Sequence, residues 1–466
     1  MGEGAYIRIQ NKSKHAVSIQ VIEGAKVDDA GMAQIQGDLE PGSQLPTEGE
    51  AAFGDERRYQ YIEGDVRFFF QGDGYFHLEA HPADGSPKSG LKLLVNSNEW
   101  WSEDPSPDKD SPVLLVADVD SDADPTRIEI RVFDNYAGNK WMAQLEESIA
   151  DVPLNRVALP GTHDSGTYNF NGELGASPDN SLTSTIDSII GGIDCVANVV
   201  LKNIFTRLCQ CQTLSFLRQL QEGIRYFDMR IAPHAETGTF HTVHGVYCVE
   251  MSDILNQFKN FLKNNPKEIV ILDFNHLYEM DGHHEALIDM ILEAFGDKVA
   301  NYNTVRAKST VGEYWENGYQ VIIVYQNTEQ TKKEKYEGLI WHSGNIRSPW
   351  PEASNTDQLK AKLEASSKEN RHKGALFVMQ GILTPDGELI KSQIMDTGGI
   401  SIRSFAPSCN CHFVDWITGD KDGQLKLCCR GEGEDEDEGR ANSIVIVDYV
   451  EHGSVIPAVI NSNRTG

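Results

Sequence analysis

The feature that most constrains this chain is a set of short, almost wholly apolar runs. Ile269-Val270-Ile271-Leu272 and Ile444-Val445-Ile446-Val447 show no alternation of apolar and polar residues. Strands of that kind need cover on both faces, the condition met where helices flank a parallel sheet. Strands are expected at 156–159, 224–231, 239–243, 268–274, 319–325, 338–341, 375–380 and 443–450, with amphipathic stretches between them. Met251 to Asn264 sets Ile254, Leu255, Phe258, Phe261 and Leu262 at helical spacing, with Ser252 as a candidate N-cap and Pro266 as a stop. His283 to Phe295 repeats the pattern with Leu287, Ile288, Ile291 and Phe295. Strands and helices alternating in this way predict an α/β fold, an irregular TIM (β/α) barrel.

The first part of the chain reads differently. Tyr6-Ile7-Arg8-Ile9 and Val17-Ser18-Ile19-Gln20-Val21 alternate with period two, and further short runs lie at 67–70, 91–95, 113–116 and 128–132. Gly, Asp, Pro and Ser clusters separate them, which predicts an all-β sandwich domain over 1–138, of open binding role. The barrel is assigned to 139–466. The run 431–439 carries six acids and is expected to be a surface loop before the last strand.

Charge and cysteine usage narrow the function. The 466 residues carry a formal net charge of −29, which argues against nucleic acid as a partner, since phosphate binding relies on Lys and Arg. The same charge opposes a standing attraction to anionic membranes. No apolar run approaches the ~18 residues needed to cross a bilayer. The opening Met1-Gly2-Glu3-Gly4 has no basic region followed by an apolar core, so a cytoplasmic location, peripheral to membranes at most, is expected. All eight cysteines follow residue 194, and in such a setting reduced thiols are the expectation.

Barrel active sites lie where strands end at their C-terminal side. The first expected strand ends in Pro160-Gly161-Thr162-His163-Asp164, where Pro160-Gly161 is read as a turn that aims His163 at a pocket. The second runs into Asp228-Met229-Arg230, the third delivers His244, the fourth ends at Asp273-Phe274-Asn275-His276, and the last delivers Asp448. Each residue alone has a plain structural reading, as a hydrogen-bonded histidine, a rim ion pair or a turn cap. Converging at one face, two imidazoles and a guanidinium suit phosphodiester chemistry. One imidazole removes a proton from an attacking hydroxyl and the other protonates the leaving oxygen. The planar fork of arginine matches phosphoryl oxygens.

The stretches "LPGTHDSGT" (159–167), "GIRYFDMRI" (223–231), "FHTVHG" (240–245), "KEIVILDFNH" (267–276) and "IVIVDYV" (444–450) resemble, in order, the X domain of phosphatidylinositol-specific phospholipase C, most of all its X-domain-only branch. The resemblance implies that His163 is the general base toward the inositol 2-hydroxyl and His244 the general acid toward the diacylglycerol oxygen. It implies that Asp448 orients His163, that Asp164 partners His244, and that Arg230 contacts the phosphate with Asp228 beside it. Asn275 and His276 are implied at the substrate, and Tyr325, Trp341 and Gln380 are candidates for lining the pocket.

The departures from the calcium-dependent members are informative. Arg230 stands where those enzymes have an acidic calcium ligand, and Phe274 stands where they carry Glu before Asn-His. No metal and no other cofactor is therefore expected. Gln380 occupies a position where an acid that holds inositol hydroxyls is expected, which leaves room for another phosphodiester. The resemblance implies a phospholipid partner at a membrane surface and a lyase or phosphoric diester hydrolase activity. A glycerophosphodiester, a sphingolipid, or a catalytically inert lipid- or sugar-binding role are the alternatives.

Overall fold

The computed structural model describes residues 3–25, 36–45, 66–70, 74–83, 85, 89–96, 99–103, 110–120, 126–170, 174–179, 208–370, 374–384, 402–419, 425, 427 and 443–464. The acidic run 431–439 and Cys195, Cys428 and Cys429 lie outside the described residues. The five described cysteines, Cys209, Cys211, Cys248, Cys409 and Cys411, are buried.

Period-two alternation builds a two-sheet sandwich at the N-terminus. One sheet holds β1 (Glu3–Asn11), β4 (Gln44–Leu45), β5 (Val66–Phe70), β9 (Val113–Asp120) and β10 (Thr126–Asp134). The other holds β2 (Val17–Ala25), β3 (Gly37–Leu39), β6 (Gly74–Pro82), β7 (Ser89–Asn96) and β8 (Glu99–Glu103). Ile7, Ile9, Val17, Ile19, Leu78, Leu115, Ile128 and Ile130 form its core. Strands β9 and β10 are buried on both faces. Their second face gives Val116 and Phe133 to the core of the barrel domain, against the helix Ile402–Thr418.

The barrel is a curled sheet of eight parallel strands: β11 (Leu159–Thr162), β12 (Tyr226–Pro233), β15 (Val270–Leu277), β16 (Val321–Tyr325), β17 (Trp341–His342), β18 (Ile346–Arg347), β19 (Leu376–Gly381) and β20 (Ile444–Val447). The hydrogen-bonded order is β17-β16-β15-β12-β11-β20-β19-β18, so among the described residues no ladder closes the seam between β17 and β18. Two expectations are corrected. The strand expected at 239–243 is not a stave. It is β13 (Phe240–Val243), which forms an antiparallel hairpin with β14 (Tyr247–Glu250) and extends β12. The eighth stave is the two-residue β18, too short to show periodicity. Pro160 and Gly161 are likewise inside β11, not in a turn. A Cβ on Gly161 would lie 2.8 Å from the Ile446 methyl and 2.9 Å from the Tyr226 ring, so the glycine serves close packing in the lumen.

Side-chain phase separates the two barrel faces. On β15, Val270, Leu272 and Phe274 point to the helices, while Ile271 belongs to the lumen with Leu159, Tyr226, Ile322, Val324, Val378 and Ile446. The helix Met251–Asn264 covers the outer face with Ile254, Leu255, Phe258, Phe261 and Leu262, all buried. Each such side chain contributes about 1.5–3 kcal/mol. Ser252 is not its cap: Glu250 holds the N-cap position, and the Ser252 hydroxyl donates to the Glu250 carboxylate at 2.6 Å.

Candidate active site

Strand ends place the reactive groups around one cavity of 760 Å³ at the C-terminal mouth of the barrel, lined by His163, Asp228, Arg230, His244, Asn275, His276, Gln380 and Asp448 among others. After β11 the chain turns sharply at Asp164, whose φ of +43° is a left-handed conformation that aspartate tolerates better than most residues. The turn is held by Thr167, which donates its backbone N–H and its hydroxyl to the Asp164 carbonyl. Gly166 allows it, because a Cβ there would lie 2.3 Å from the Thr242 hydroxyl.

His163 is 4% exposed and sits between an acid and a cation. Its Nδ1 is 2.7 Å from Asp448 Oδ1, and its Nε2 is 2.8 Å from Arg230 Nη2. A guanidinium only donates. Nε2 is therefore the acceptor, and the ring proton lies on Nδ1, facing Asp448. Burial would lower the pKa of this imidazole, but the Asp448 carboxylate and its hydrogen bond outweigh that and raise it. The result is a strengthened base whose free lone pair is covered by Arg230.

Arg230 connects the whole cluster. Its Nε lies 3.0 Å from Asp164 Oδ1, and its Nη2 lies 3.5 Å from Asp228 Oδ2. Burial works against its charge, and these two carboxylates more than restore it. Burial would raise Asp228, but Arg230 and His163 bring it down to about 2. Asp228 Oδ2 also accepts the Asp164 backbone N–H at 2.9 Å. Asp228 Oδ1 has no hydrogen-bond partner among the described residues.

His244 follows β13 and is delivered by the hairpin. Its Nδ1 is 2.7 Å from the Cys209 carbonyl, so Nδ1 donates and Nε2 is left to the pocket. Asp164 Oδ2 lies 3.5 Å from this Nε2 and 3.8 Å from His163 Nε2. Both imidazoles thus meet around a single carboxylate oxygen. Asp164 thus stands beside His244 at its pocket-side nitrogen, while the Cys209 carbonyl sets the tautomer through Nδ1 and Asp164 Oδ1 turns to Arg230.

The structure brings Asn275, His276 and Gln380 to the cavity. A register shift between β12 and β15 moves the pairing from Asp228↔Asp273 to Arg230↔His276, and both Asn275 and His276 reach the pocket wall. Gln380 is held by donating to the Ser348 carbonyl and hydroxyl at 3.1 and 3.0 Å. Two expected lining residues are corrected. Tyr325 shares the outward phase of Phe274; its hydroxyl is 2.8 Å from His284 Nδ1, and its neighbour Gln326 is the residue that lines the cavity. Trp341 is turned to the other end of the barrel, where its indole donates to the Ala300 carbonyl beside the start of β16.

Sequence reasoning missed the brace formed by Gln212. Its amide donates to the carbonyls of His163 and Val447 at 2.9 Å each, tying together the strand ends that carry His163 and Asp448. A lone glutamine in a loop gives no signal of this. Trp350, 44% exposed, also joins the site, with its ring centroid 5.4 Å from that of His163. Below the mouth, Asp273 accepts from the Tyr226 hydroxyl at 2.8 Å. Burial, opposed by that hydrogen bond and helped by Asp228, pushes Asp273 up to about 7.

Among the described residues one group could hold a metal: His163, Asp164 and Cys211, with donor atoms within 4.8 Å of one another. Arg230 contacts two of the three and already supplies a positive charge there. Burial also pushes the Cys211 thiol well up, away from the thiolate a metal requires. Phe274 faces the helices and supplies no ligand.

Known proteins are similar to this chain. Residues 198–326 match the family described as phosphatidylinositol-specific phospholipase C, X domain. PI-PLC X domain-containing protein 3 of Mus musculus is 30% identical over 327 residues, covering 69% of this chain and 92% of that protein. PI-PLC X domain-containing protein 2 of Mus musculus is 32% identical over 292 residues, covering 61% of this chain and 80% of that one. A solved phosphatidylinositol-specific phospholipase C from Listeria monocytogenes aligns with a TM-score of 0.45 at 19% identity, over 71% of this chain and all of the other. The chain belongs to the phosphatidylinositol-specific phospholipase C X-domain family. The class that the family defines is a phospholipase C-like phosphodiesterase or a related protein, with X domain-containing proteins among its relatives.

Proposed function

We propose that this protein is a metal-independent phosphodiesterase that cleaves phosphatidylinositol-type lipids to diacylglycerol and inositol cyclic phosphate. The observation that carries the reading is the meeting of His163, His244 and Arg230 around Asp164 in one cavity. The inositol 2-hydroxyl gives its proton to His163 Nε2 as its oxygen attacks phosphorus. The diacylglycerol oxygen leaves and takes the Nε2 proton of His244 in its imidazolium form, which becomes the neutral ring that keeps Nδ1–H on the Cys209 carbonyl. A bound phosphate draws the Arg230 guanidinium from Nε2, which frees the base at the moment substrate arrives. Each acid–base step is worth ~10²–10⁴-fold, and a donor aimed at the developing phosphoryl charge about 10²–10³-fold.

In this reading a peripheral, cytoplasmic protein meets its substrate at a membrane surface. The apolar side of the cavity, with Leu208, Ile382, Leu383 and Trp350, suits the glycerol end of a lipid. No helix among the described residues is long and apolar enough to cross a membrane. The test is diacylglycerol release from phosphatidylinositol vesicles in excess chelator. Release that persists supports the reading, and loss restored by Ca²⁺ overturns it. A His163→Ala/His244→Ala double variant that still binds vesicles but releases nothing separates turnover from binding.

A further inference from the structure

The loop after β20 carries Asp448 and ends at Ser454, before the helix Val455–Asn461. The sandwich grips the far end of that loop. Asp118 on β9 accepts the Ser454 backbone N–H through Oδ1 at 2.8 Å and the Ser454 hydroxyl through Oδ2 at 2.5 Å. Arg131 on β10 is wholly buried, pairs with Asp118, and lies 3.5 Å from the same hydroxyl. It also bonds Asp415 on the helix Ile402–Thr418 at 2.5 Å. Gly453 lies so close that a Cβ would be 2.3 Å from Asp118 Oδ1, at a φ of +89° that already favours glycine. Between the two ends, Asn410 of the same helix donates to the carbonyls of Asp448 and His452 at 3.2 and 3.1 Å.

Replacing a buried ion pair by apolar residues of like volume is often neutral or stabilising, so Arg131 and Asp118 are poorly explained as a source of stability. Their hydrogen bonds do have a direction: they end on the loop that holds the partner of His163. We propose that Asp118 and Arg131 are positioning residues which, through Ser454, hold Asp448 against His163 Nδ1, so that the N-terminal sandwich is part of the acid–base machinery of the barrel. The role in turnover rests on the proposed function; the role in setting the state of His163 does not.

The test uses the full chain and two variants. Asp118→Ala/Arg131→Met removes both charges together; Asp415, which also loses Arg131, keeps Arg127 at 3.6 Å. Ser454→Ala removes one hydroxyl and keeps the ion pair, and serves if the first fails to fold. The readout is the imidazole titration of His163 by NMR, beside kcat and KM on phosphatidylinositol vesicles. The groups that face His163 are Asp448, Asp164, Asp228 and Arg230, with Cys211 nearby, and all are retained. A loosened Asp448 removes what raises the His163 pKa, so the titration moves to lower pH, by about one unit in the double variant. The acid limb of kcat/KM moves with it, kcat falls about tenfold, and KM holds. A folded variant with an unmoved His163 titration overturns the proposal, whatever the rate does. If the wild type turns over no lipid, the titration alone decides, and the proposed function fails separately.

Discussion

Replacing Asp448 by Asn tests the hydrogen bond on which the base depends. The substitution keeps the volume and removes the charge at 2.7 Å from His163 Nδ1, in a site where both residues are buried. A hydrogen bond to a charged group is worth about 1.5–3 kcal/mol, and one pKa unit is about 1.4 kcal/mol. The His163 pKa should therefore drop by about one to two units, since burial and Arg230 then act unopposed by Asp448. The asparagine amide can also donate to Nδ1, which would push the ring proton onto Nε2, the atom needed as base. Both effects fall on the chemical step. Initial rates on phosphatidylinositol vesicles at neutral pH should show kcat lower by about 10²–10⁴-fold, with KM within about twofold because Arg230 and the cavity wall are intact. The variant should bind vesicles and melt as the wild type does. A folded Asp448→Asn protein whose kcat is unchanged, or whose defect is confined to KM, would refute the role given to this carboxylate.

Three further outcomes follow from the geometry. Arg230→Lys should lower kcat about 10²–10³-fold, because a point charge cannot reach His163 Nε2 and Asp164 Oδ1 together as the planar guanidinium does; steady-state kinetics reads this. Asp273→Asn should stabilise the protein at high pH. A carboxyl raised to about 7 when folded lends stability that is full below its unfolded value near 3.8 and is lost as pH rises through about 7. The variant should thus gain on the order of 2–4 kcal/mol over wild type at pH 8, and the gain should vanish toward pH 4, as urea melts at each pH will show. Tyr325→Phe should cost about 1 kcal/mol through the lost bond to His284 and leave KM unchanged, since Gln326 and not Tyr325 meets the cavity.

Most of the barrel was legible because burial on both faces leaves a mark in the strands. Ile269–Leu272 and Ile444–Val447 could be nothing but interior staves, and the helices around Phe258 and Ile291 followed from 3.6-residue spacing. What escaped notice was short or local. Two-residue strands such as Ile346–Arg347 have no period. Phe240–Val243 has the composition of a stave, but its hairpin partnership depends on Tyr247–Glu250, which the sequence does not flag. In the site, His163, Arg230, His244 and Asp448 were legible as polar and charged groups at the ends of apolar runs. Tyr325 and Trp341 failed because the face of a residue depends on strand phase and depth, and one step past the end of β16 exchanges Tyr325 for Gln326. The braces made by Gln212, Cys209 and Asn410 act through backbone carbonyls, and no side-chain pattern announces them.

Phosphorus NMR of the reaction on phosphatidylinositol, followed from the first turnover in excess chelator, tests the central claim most directly. Two imidazoles flanking one phosphate predict inositol 1,2-cyclic phosphate as the first phosphorus-containing product. Appearance of acyclic inositol phosphate with no cyclic precursor, or no product from a folded protein with both histidines intact, would contradict it.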